Sequence, residues 1–514
     1  MIKFFKRNIL FASVFITGAC VLIIEVVAVR ILSPYYGNTI FTVSSVITVI
    51  LAALSLGYYA GGRLADKRPS LKLFFSIILI SSLVLLGLHF IGSAFLPFLG
   101  YFFSISLGPL ISSSLLFFLP AFLLGTLSPF AIKLQKTLLP EQGIGNVSGK
   151  IFFWSTLGSI FGSLGTGFVL IPRLGISQII IATGVVLFLL GALPLLKLKA
   201  KKEYLQNAAI LFIVLAGAMF FWIRQTESSF IFVRDGIYEK IKIFDRQHKG
   251  RPTRFLQQDR GLSGAMFLDS EDPKDLAVDY TKYYLVYKIF KPEIGSALVL
   301  GGGAYSVPRA LLAENPELVV DVCEIEPSLF GLAREYFNLP DSSRLRNYIE
   351  DGRRFLHDSE KKYDLIFSDV YYSLFSVPSH FTTQEFFKIA KEKISQNGLF
   401  VANLIGDLSK QQPSFIMSEI KTFQTVFPNS YFFAVESPSE ISFQNIIFVG
   451  HNSNKKTDIE NLPLENYSDP VLLSLKEKMI DLGEFDLSLY PILLDNFSPT
   501  DYLIARMLQR HPLQ

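Results

Sequence analysis

Apolar and polar positions divide this chain into two unlike parts. Residues 1–225 hold apolar stretches long enough to cross a bilayer, at about 9–30, 40–62, 73–95, 109–132, 151–171 and 176–196. A shorter apolar stretch lies at about 207–223. Residues 96–108, which include Pro97 and Gly100, are expected to form a loop or a re-entrant piece. The pattern predicts an α-helical, multi-span membrane domain of about six or seven helices.

After residue 225 the apolar runs become short and alternate with helical patterns. The runs Ala297–Leu300, Val319–Cys323 and Tyr363–Phe367 are bounded and rich in β-branched residues, which is typical of buried parallel strands. They predict an α/β, Rossmann-like core of the methyltransferase type over residues 296–450. A β-rich lead-in over residues 226–295 is predicted to precede that core, and a C-terminal helical tail over residues 451–514 to follow it.

Glycines and carboxylates stand where these strands end. The first strand ends in Gly301, Gly302 and Gly303, and later ones end in Glu324, in Asp351 followed by Gly352, and in Asp369. Ligands of an open α/β sheet bind beyond the carboxyl ends of its strands, so these residues are expected around one crevice. The alternative is a doubly wound domain with an incidental glycine turn.

The spacing of this turn favours an adenosyl ligand. Glu324 lies about twenty residues after the glycines, where a carboxylate meets ribose hydroxyls. The third glycine of a dinucleotide fingerprint is absent, because position 306 is Ser, so an adenosyl group without a pyrophosphate fits better. Ser306 is expected to cap the helix that follows the turn.

Four segments resemble the spermidine synthase (polyamine aminopropyltransferase) family in order and spacing: Leu298–Gly303, Cys323–Glu326, Glu350–Gly352 and Tyr363–Asp369. With its apolar first half, the chain is most similar to the membrane-fused spermidine synthase-like proteins. The resemblance implies a transferase that uses decarboxylated S-adenosylmethionine, or S-adenosylmethionine itself, as co-substrate, and no metal. It also implies a small-molecule amine as the second substrate, and it allows a homodimer.

The resemblance also assigns roles to the strand-end residues. Asp369 matches the catalytic proton acceptor, Glu324 the ribose-binding acid, and Asp351 the acid near the adenine amino group. Gly301 to Gly303 match the turn that holds the co-substrate. Gly352, next to Asp351, is also expected to bind the co-substrate.

The chain departs from the family at two positions that hold ammonium groups. Family members that make spermidine usually carry Asp where this chain has Ala304, and a second Asp where it has Tyr372. Losing these acids removes charge pairing that a cation needs on leaving water. Tyr371 and Tyr372 could meet an ammonium by cation–π contact, and Tyr238 is expected to line the substrate site with them.

Two classes of function follow. The first is a membrane-anchored transferase that moves an aminopropyl group to a polyamine such as putrescine, or a methyltransferase that uses S-adenosylmethionine. The second is a membrane transporter or sensor whose soluble domain binds an adenosyl ligand or a polyamine without turnover. Asp369 favours the first class, and Ala304 with Tyr372 favours the second.

Charge and composition bear on the partners and the location of the protein. The net charge of +4 over 514 residues indicates no nucleic-acid partner, and the two cysteines make neither a disulfide framework nor a zinc pattern. A mean hydropathy of +0.39 is too apolar for a wholly soluble protein, which predicts a multi-pass protein of the cell membrane with the lipid bilayer as its partner.

Basic residues in alternate loops predict a cytoplasmic N-terminus and a cytoplasmic residue 200. If residues 207–223 also cross the membrane, the soluble domain lies outside the cytoplasm. If they fold back, the soluble domain lies in the cytoplasm. Charge counting favours the first arrangement, but the supply of an adenosyl co-substrate favours the second, which we expect.

Overall fold

A computed structural model describes residues 2–371 and 376–511 of the chain. The chain forms two compact units, Met1–Ser229 and Phe230–Gln514, which are considered separately.

The first unit is built from long apolar helices. They are α1 (Ile2–Tyr36), α2 (Ile40–Lys67), α3 (Leu71–Phe102), α4 (Gly108–Gly125), α5 (Leu127–Leu138), α6 (Ile144–Gly165), α7 (Ile176–Lys197) and α8 (Lys202–Glu227). By length and composition alone, the described residues contain seven helical stretches able to cross a membrane, with α4 and α5 forming one of them. A π-helical segment, Thr166–Leu170, extends α6.

Two helices differ from their predicted lengths. The prediction of a loop or re-entrant piece over residues 96–108 is wrong for residues 96–102, because α3 continues through Pro97 as far as Phe102. Proline is tolerated in such apolar helices, where neighbouring groups satisfy the freed backbone. Helix α8 has 26 residues, so it is about 39 Å long at 1.5 Å per residue, which exceeds a hydrocarbon core of about 30 Å.

Small residues let the helices of this unit approach closely. A Cβ atom at Gly158 of α6 would lie 1.9 Å from the carbonyl oxygen of Phe15 in α1. One at Gly61 of α2 would lie 2.3 Å from the carbonyl oxygen of Thr126, where α4 meets α5. Backbone contact of this kind is how apolar helices pack without a hydrophobic driving force between them.

The second unit begins with a four-stranded antiparallel meander. Its strands are β1 (Phe232–Asp235), β2 (Lys240–His248), β3 (Arg251–Gln258) and β4 (Gly261–Phe267), paired in that order. The antiparallel pairing of β2 with β3 forms a hairpin within the predicted β-rich lead-in. A 3₁₀ segment, Tyr280–Val286, then leads into the short helix α9 (Tyr287–Phe290).

A seven-stranded sheet forms the core of this unit. Its strands are β5 (Ser296–Leu300), β6 (Val319–Cys323), β7 (Leu345–Tyr348), β8 (Tyr363–Ser368), β9 (Ile394–Gly406), β10 (Ser430–Ala434) and β11 (Gln444–His451). The spatial order is β10-β11-β9-β8-β5-β6-β7. Strands β5 to β9 are parallel, and β11 runs antiparallel to both of its neighbours, β9 and β10.

Helices and a tail complete the unit. The helices that follow are α10 (Ser306–Glu314), α11 (Leu329–Tyr336), α12 (Gly352–Asp358), α13 (Gln384–Glu392), α14 (Phe415–Gln424), α15 (Pro470–Leu473), α16 (Leu475–Lys478) and α17 (Thr500–Arg510).

Strand β5 lies between β6 and β8, so the direction of winding reverses there. A crevice opens at such a reversal, beyond the carboxyl ends of the strands.

Candidate active site

The glycine turn after β5 requires glycine for two reasons. Gly301 and Gly303 have φ of 86° and 51°, in the left-handed region. A Cβ at Gly301 would lie 2.2 Å from the carbonyl oxygen of Asp369, and one at Gly303 would lie 2.3 Å from that of Ser263. The turn is therefore packed between β8 and the meander.

The expected cap of the next helix is wrong. Tyr305, at φ of 57°, occupies the N-cap position of α10, and Ser306 is the first helical residue. The Ser306 hydroxyl instead donates to the Ala265 carbonyl oxygen at 3.4 Å. A cap residue normally has extended backbone, and the left-handed residue that this turn needs takes that position instead.

Glu324 ties the end of β6 to the glycine turn. Its Oε2 accepts a hydrogen bond from the Gly302 amide at 2.7 Å, and its Oε1 accepts one from the Glu326 amide at 2.8 Å. Burial raises the pKa of the Glu324 carboxyl, and the backbone hydrogen bonds oppose that rise. Both oxygens are thus fixed in direction at the floor of the crevice.

Asp351 occupies the N-cap position of α12. Its Oδ1 accepts from the Arg354 amide at 2.9 Å, and its Oδ2 lies 3.0 Å from Nε2 of His380. Burial acts to raise the pKa of Asp351, but the hydrogen bonds from His380 and from backbone amides outweigh it, so the pKa falls. This carboxylate is therefore held in its ionised form.

Asp369 follows β8 and is buried between two hydrogen-bond donors. The Tyr280 hydroxyl donates to its Oδ2 at 2.7 Å, and the Asn403 side-chain amide donates to its Oδ1 at 2.9 Å. Burial raises the pKa of Asp369, and these two bonds oppose the rise. Asn445 donates to Oδ1 of Asn403 at 2.9 Å and so sets the direction of that amide.

Sequence reasoning missed Tyr280 and Asn403. Tyr280 lies in a tyrosine-rich segment before the predicted core, and its hydroxyl reaches the site. Asn403 carried a signal, because it is a polar residue near the carboxyl end of a predicted strand, where ligands of such sheets bind.

These residues line one cleft of about 1080 Å³, measured with its open mouth. Six of the lining side chains are carboxylates: Glu239, Glu324, Glu326, Glu350, Asp351 and Asp369. Within the described ranges, no Lys or Arg lines it. Because like charges gathered in a partly enclosed space strengthen one another's field, the cleft favours cations.

The structure brings most of the predicted site residues to this cleft. Gly301, Gly303 and Gly352 line it, whereas Gly302 contributes its amide to Glu324. Tyr238 also lines it and is about two-fifths exposed.

Tyr371 lines the cleft too, and its hydroxyl oxygen accepts from the Ile405 amide at 2.6 Å. Tyr372, predicted beside it, lies outside the described residues.

Ala304 is closed off from the cleft by the meander. It is buried, and a Cβ at Gly264 of β4 would lie 2.4 Å from its own Cβ. Gly264 of β4 therefore packs closely against the Ala304 side chain.

The sheet, its reversal point and the acid-lined crevice define an α/β Rossmann-like domain of the methyltransferase-like class. A family model described as "Spermine/spermidine synthase domain" matches residues 286–461. Residues 286–461 therefore match a spermidine synthase domain, and this part of the chain is polyamine aminopropyltransferase-like.

The chain is also similar to individual proteins. A polyamine aminopropyltransferase of Vibrio vulnificus is 25% identical over 291 residues, which cover 54% of this chain and 92% of that one. Polyamine aminopropyltransferase 2 of Aquifex aeolicus is 23% identical over 409 residues, covering 76% and 77%. Among solved structures, a probable spermidine synthase of Corynebacterium glutamicum is 20% identical, with a TM-score of 0.39 over 45% of this chain and 83% of that one.

Proposed function

We propose that the protein is a membrane-anchored aminopropyltransferase that uses decarboxylated S-adenosylmethionine and a polyamine such as putrescine. The observation that carries this proposal is Asp369, a buried carboxylate held by Tyr280 and Asn403 in a cleft lined by five further acids. Such a site accepts a proton from a bound ammonium ion and stabilises positive charge beside it.

The charge of the cleft supports the decarboxylated donor over S-adenosylmethionine. Both donors carry a sulfonium and an ammonium group, which six carboxylates attract. S-adenosylmethionine adds a carboxylate of its own, and no Lys or Arg among the described lining residues could pair with it. An unpaired anion that leaves water for an acidic cleft is strongly disfavoured. Methyl transfer from S-adenosylmethionine is therefore the less favoured chemistry here.

The reaction is a displacement at the carbon bonded to sulfur. The amine of the acceptor first gives its proton to Asp369, which frees the nitrogen lone pair. That lone pair forms the new C–N bond, and the C–S bond breaks with both electrons going to sulfur. Sulfur leaves as a neutral thioether, methylthioadenosine, and the proton passes from Asp369 to solvent. The raised pKa of Asp369 makes it a better base for the first step.

The adenosyl end of the donor is assigned to the glycine side of the cleft. Glu324, with its oxygens fixed toward the Gly302 and Glu326 amides, would accept ribose hydroxyls through its remaining lone pairs. Gly301 and Gly303 allow close approach of the ligand to the backbone. Asp351, beside Gly352, would accept from the adenine amino group.

The amine is assigned to the side of the cleft nearest Asp369. Tyr371 and Tyr238 line the cleft as aromatic faces for an ammonium, and Tyr372 is proposed to join them. Ala304 is buried outside the cleft and supplies no carboxylate to it, which favours an acceptor that needs fewer acidic contacts than the donor does. It also supports the second candidate, a domain that binds an adenosyl ligand or polyamine without turnover.

The first unit is proposed to anchor the enzyme in the cell membrane as a multi-pass domain. Its seven long apolar helical stretches among the described residues support that role.

Turnover of the full-length protein in detergent separates the two candidates. Asp369→Asn should abolish product formation from putrescine while methylthioadenosine binding, followed by calorimetry, stays within about threefold of the wild type. Binding without turnover by both proteins would support the non-catalytic candidate instead.

A further inference from the structure

The segment from Leu493 to Thr500, here called the tail segment, lies against residues 382–384 at the start of α13. Its backbone turns back on itself, with Leu494 and Phe497 exchanging amide-to-carbonyl hydrogen bonds of 3.0 and 2.9 Å. The Gln384 amide donates to the Leu493 carbonyl oxygen at 2.8 Å. The tail segment is therefore fixed at the start of α13.

Asp495 makes the central contact of the tail segment. Its two oxygens accept from both terminal nitrogens of Arg353, at 2.7 and 2.6 Å. Its Oδ1 also accepts from the Thr383 hydroxyl at 2.7 Å. The Arg353 hydrogen bonds, with that of Thr383, hold the pKa of Asp495 below its ordinary value. A two-pronged pair of this kind fixes direction as well as distance.

Arg353 also contacts His380, which lies beside the cleft. The same guanidinium donates to the His380 carbonyl oxygen at 2.9 Å. The His380 ring, in turn, lies 3.0 Å from Oδ2 of Asp351, which lines the cleft. Asp495 is thus connected to Asp351 through two residues, the Arg353 side chain and then His380, by its backbone carbonyl and its ring.

Hydroxyl groups make a second, independent link. Thr382 lies 3.1 Å from the Ser498 hydroxyl and 3.0 Å from that of Thr500, all through side-chain oxygens. Thr382 and Thr500 are fully buried. Thr382 directly follows Phe381, whose ring lines the cleft. The tail segment therefore supports two stretches of the cleft wall, residues 350–352 and 378–381.

We propose that Asp495 and Arg353 are positioning residues for the adenosyl end of the cleft. The inference rests on the proposed function, since it assigns that end to the donor. Without Asp495, Arg353 loses its fixed direction, and the His380 backbone and the Asp351 side chain lose their common support. Neither residue lines the cleft itself, so the effect is on donor binding rather than on the chemical step.

The test is the affinity of full-length Asp495→Asn for methylthioadenosine, measured by calorimetry beside donor kinetics. We expect Kd and the donor KM to rise by about threefold to tenfold, with kcat at saturating donor within about twofold of the wild type. Glu484→Gln is the matched control, because it removes another ion pair of the C-terminal region, an exposed one with Lys410 at 2.9 Å. That control should bind like the wild type.

A double variant tests whether Arg353 and Asp495 affect methylthioadenosine binding through the same contact. Arg353→Gln combined with Asp495→Asn should bind about as weakly as either single variant, because the two side chains act through one contact. Effects that simply add would overturn the proposal. So would unchanged binding in Asp495→Asn when the wild type binds normally. If the wild type itself bound no methylthioadenosine, the assignment of the adenosyl end, and with it the proposed function, would fail as well.

Discussion

The Tyr280 hydroxyl donates a hydrogen bond of 2.7 Å to Asp369, and the two residues are 89 positions apart in the sequence. Asp369 is buried, so its charged form depends on the few donors that reach it. Among the described residues, Tyr280 and Asn403 donate the two side-chain hydrogen bonds to it. Removing either one changes the basicity of the carboxylate that takes the proton of the amine.

Tyr280→Phe should therefore shift the pH dependence of turnover. Activity requires ionised Asp369, so kcat/KM rises with pH through the pKa of that group. Loss of the Tyr280 hydrogen bond raises the pKa of Asp369 further, which moves the acid limb of the profile to higher pH. Tyr283→Phe is the control, because Tyr283 lies on the same segment and packs against Phe433. An acid limb that stayed in place in Tyr280→Phe would contradict this role.

Asp369→Asn should make the protein more stable at neutral pH while it removes activity. The folded-state pKa of Asp369 is raised, so its contribution to stability is fully present below the unfolded pKa and is lost as pH rises through the folded pKa. Asparagine bears no charge to bury, and it can still accept from Asn403 and donate to the Tyr280 oxygen. Tm of the variant should exceed that of the wild type by a few degrees at pH 7, and the gap should close toward acid pH. An equal gap at all pH values would show that Asp369 carries no burial penalty.

Glu324→Gln should disrupt the site from within. Both carboxylate oxygens accept from backbone amides, so a side-chain NH₂ must oppose one of those N–H groups. A buried N–H group that faces another donor lowers the free energy of unfolding by about 1–3 kcal/mol. We expect lower unfolding free energy and weaker methylthioadenosine binding. Glu317→Gln, at an exposed acid just before β6, should show neither effect. Normal nucleoside binding by Glu324→Gln would remove Glu324 from the donor site.

The length of α8 changes the expected topology. The apolar stretch at 207–223 was short enough to fold back, but the helix runs for 26 residues. Seven crossings and a cytoplasmic N-terminus would place the C-terminal unit outside the cytoplasm. We therefore predict that a reporter fused after residue 514 gives an exterior signal. A cytoplasmic signal would mean that one of the seven stretches does not cross.

The strand-end residues could be predicted from the sequence, whereas their partners could not. Short apolar runs that end in Gly301, Glu324 or Asp369 identify strands and their carboxyl ends, and a parallel sheet then gathers those ends at one edge. Tyr280 reaches that edge from a segment outside the sheet, which periodicity cannot reveal. The contact between Asp495 and Arg353, 142 positions apart, likewise depends on how the tail segment folds back.

Local backbone requirements explain two of the errors. Ser306 has the right chemistry for a cap, but the glycine turn places left-handed Tyr305 there instead. Pro97 is a strong breaker in water-soluble sequences, yet α3 continues through it in an apolar setting. In both cases a neighbouring constraint outweighed the local preference.

The central claim is aminopropyl transfer from the decarboxylated donor, and its most direct test is mass spectrometry of products from the full-length protein in detergent. The protein would be incubated with putrescine and either decarboxylated or ordinary S-adenosylmethionine, with Asp369→Asn in parallel. We predict spermidine and methylthioadenosine from the decarboxylated donor with the wild type alone, and no methylated amine from the ordinary donor. A methylated amine from S-adenosylmethionine, or no product from either donor with nucleoside bound, would contradict the account.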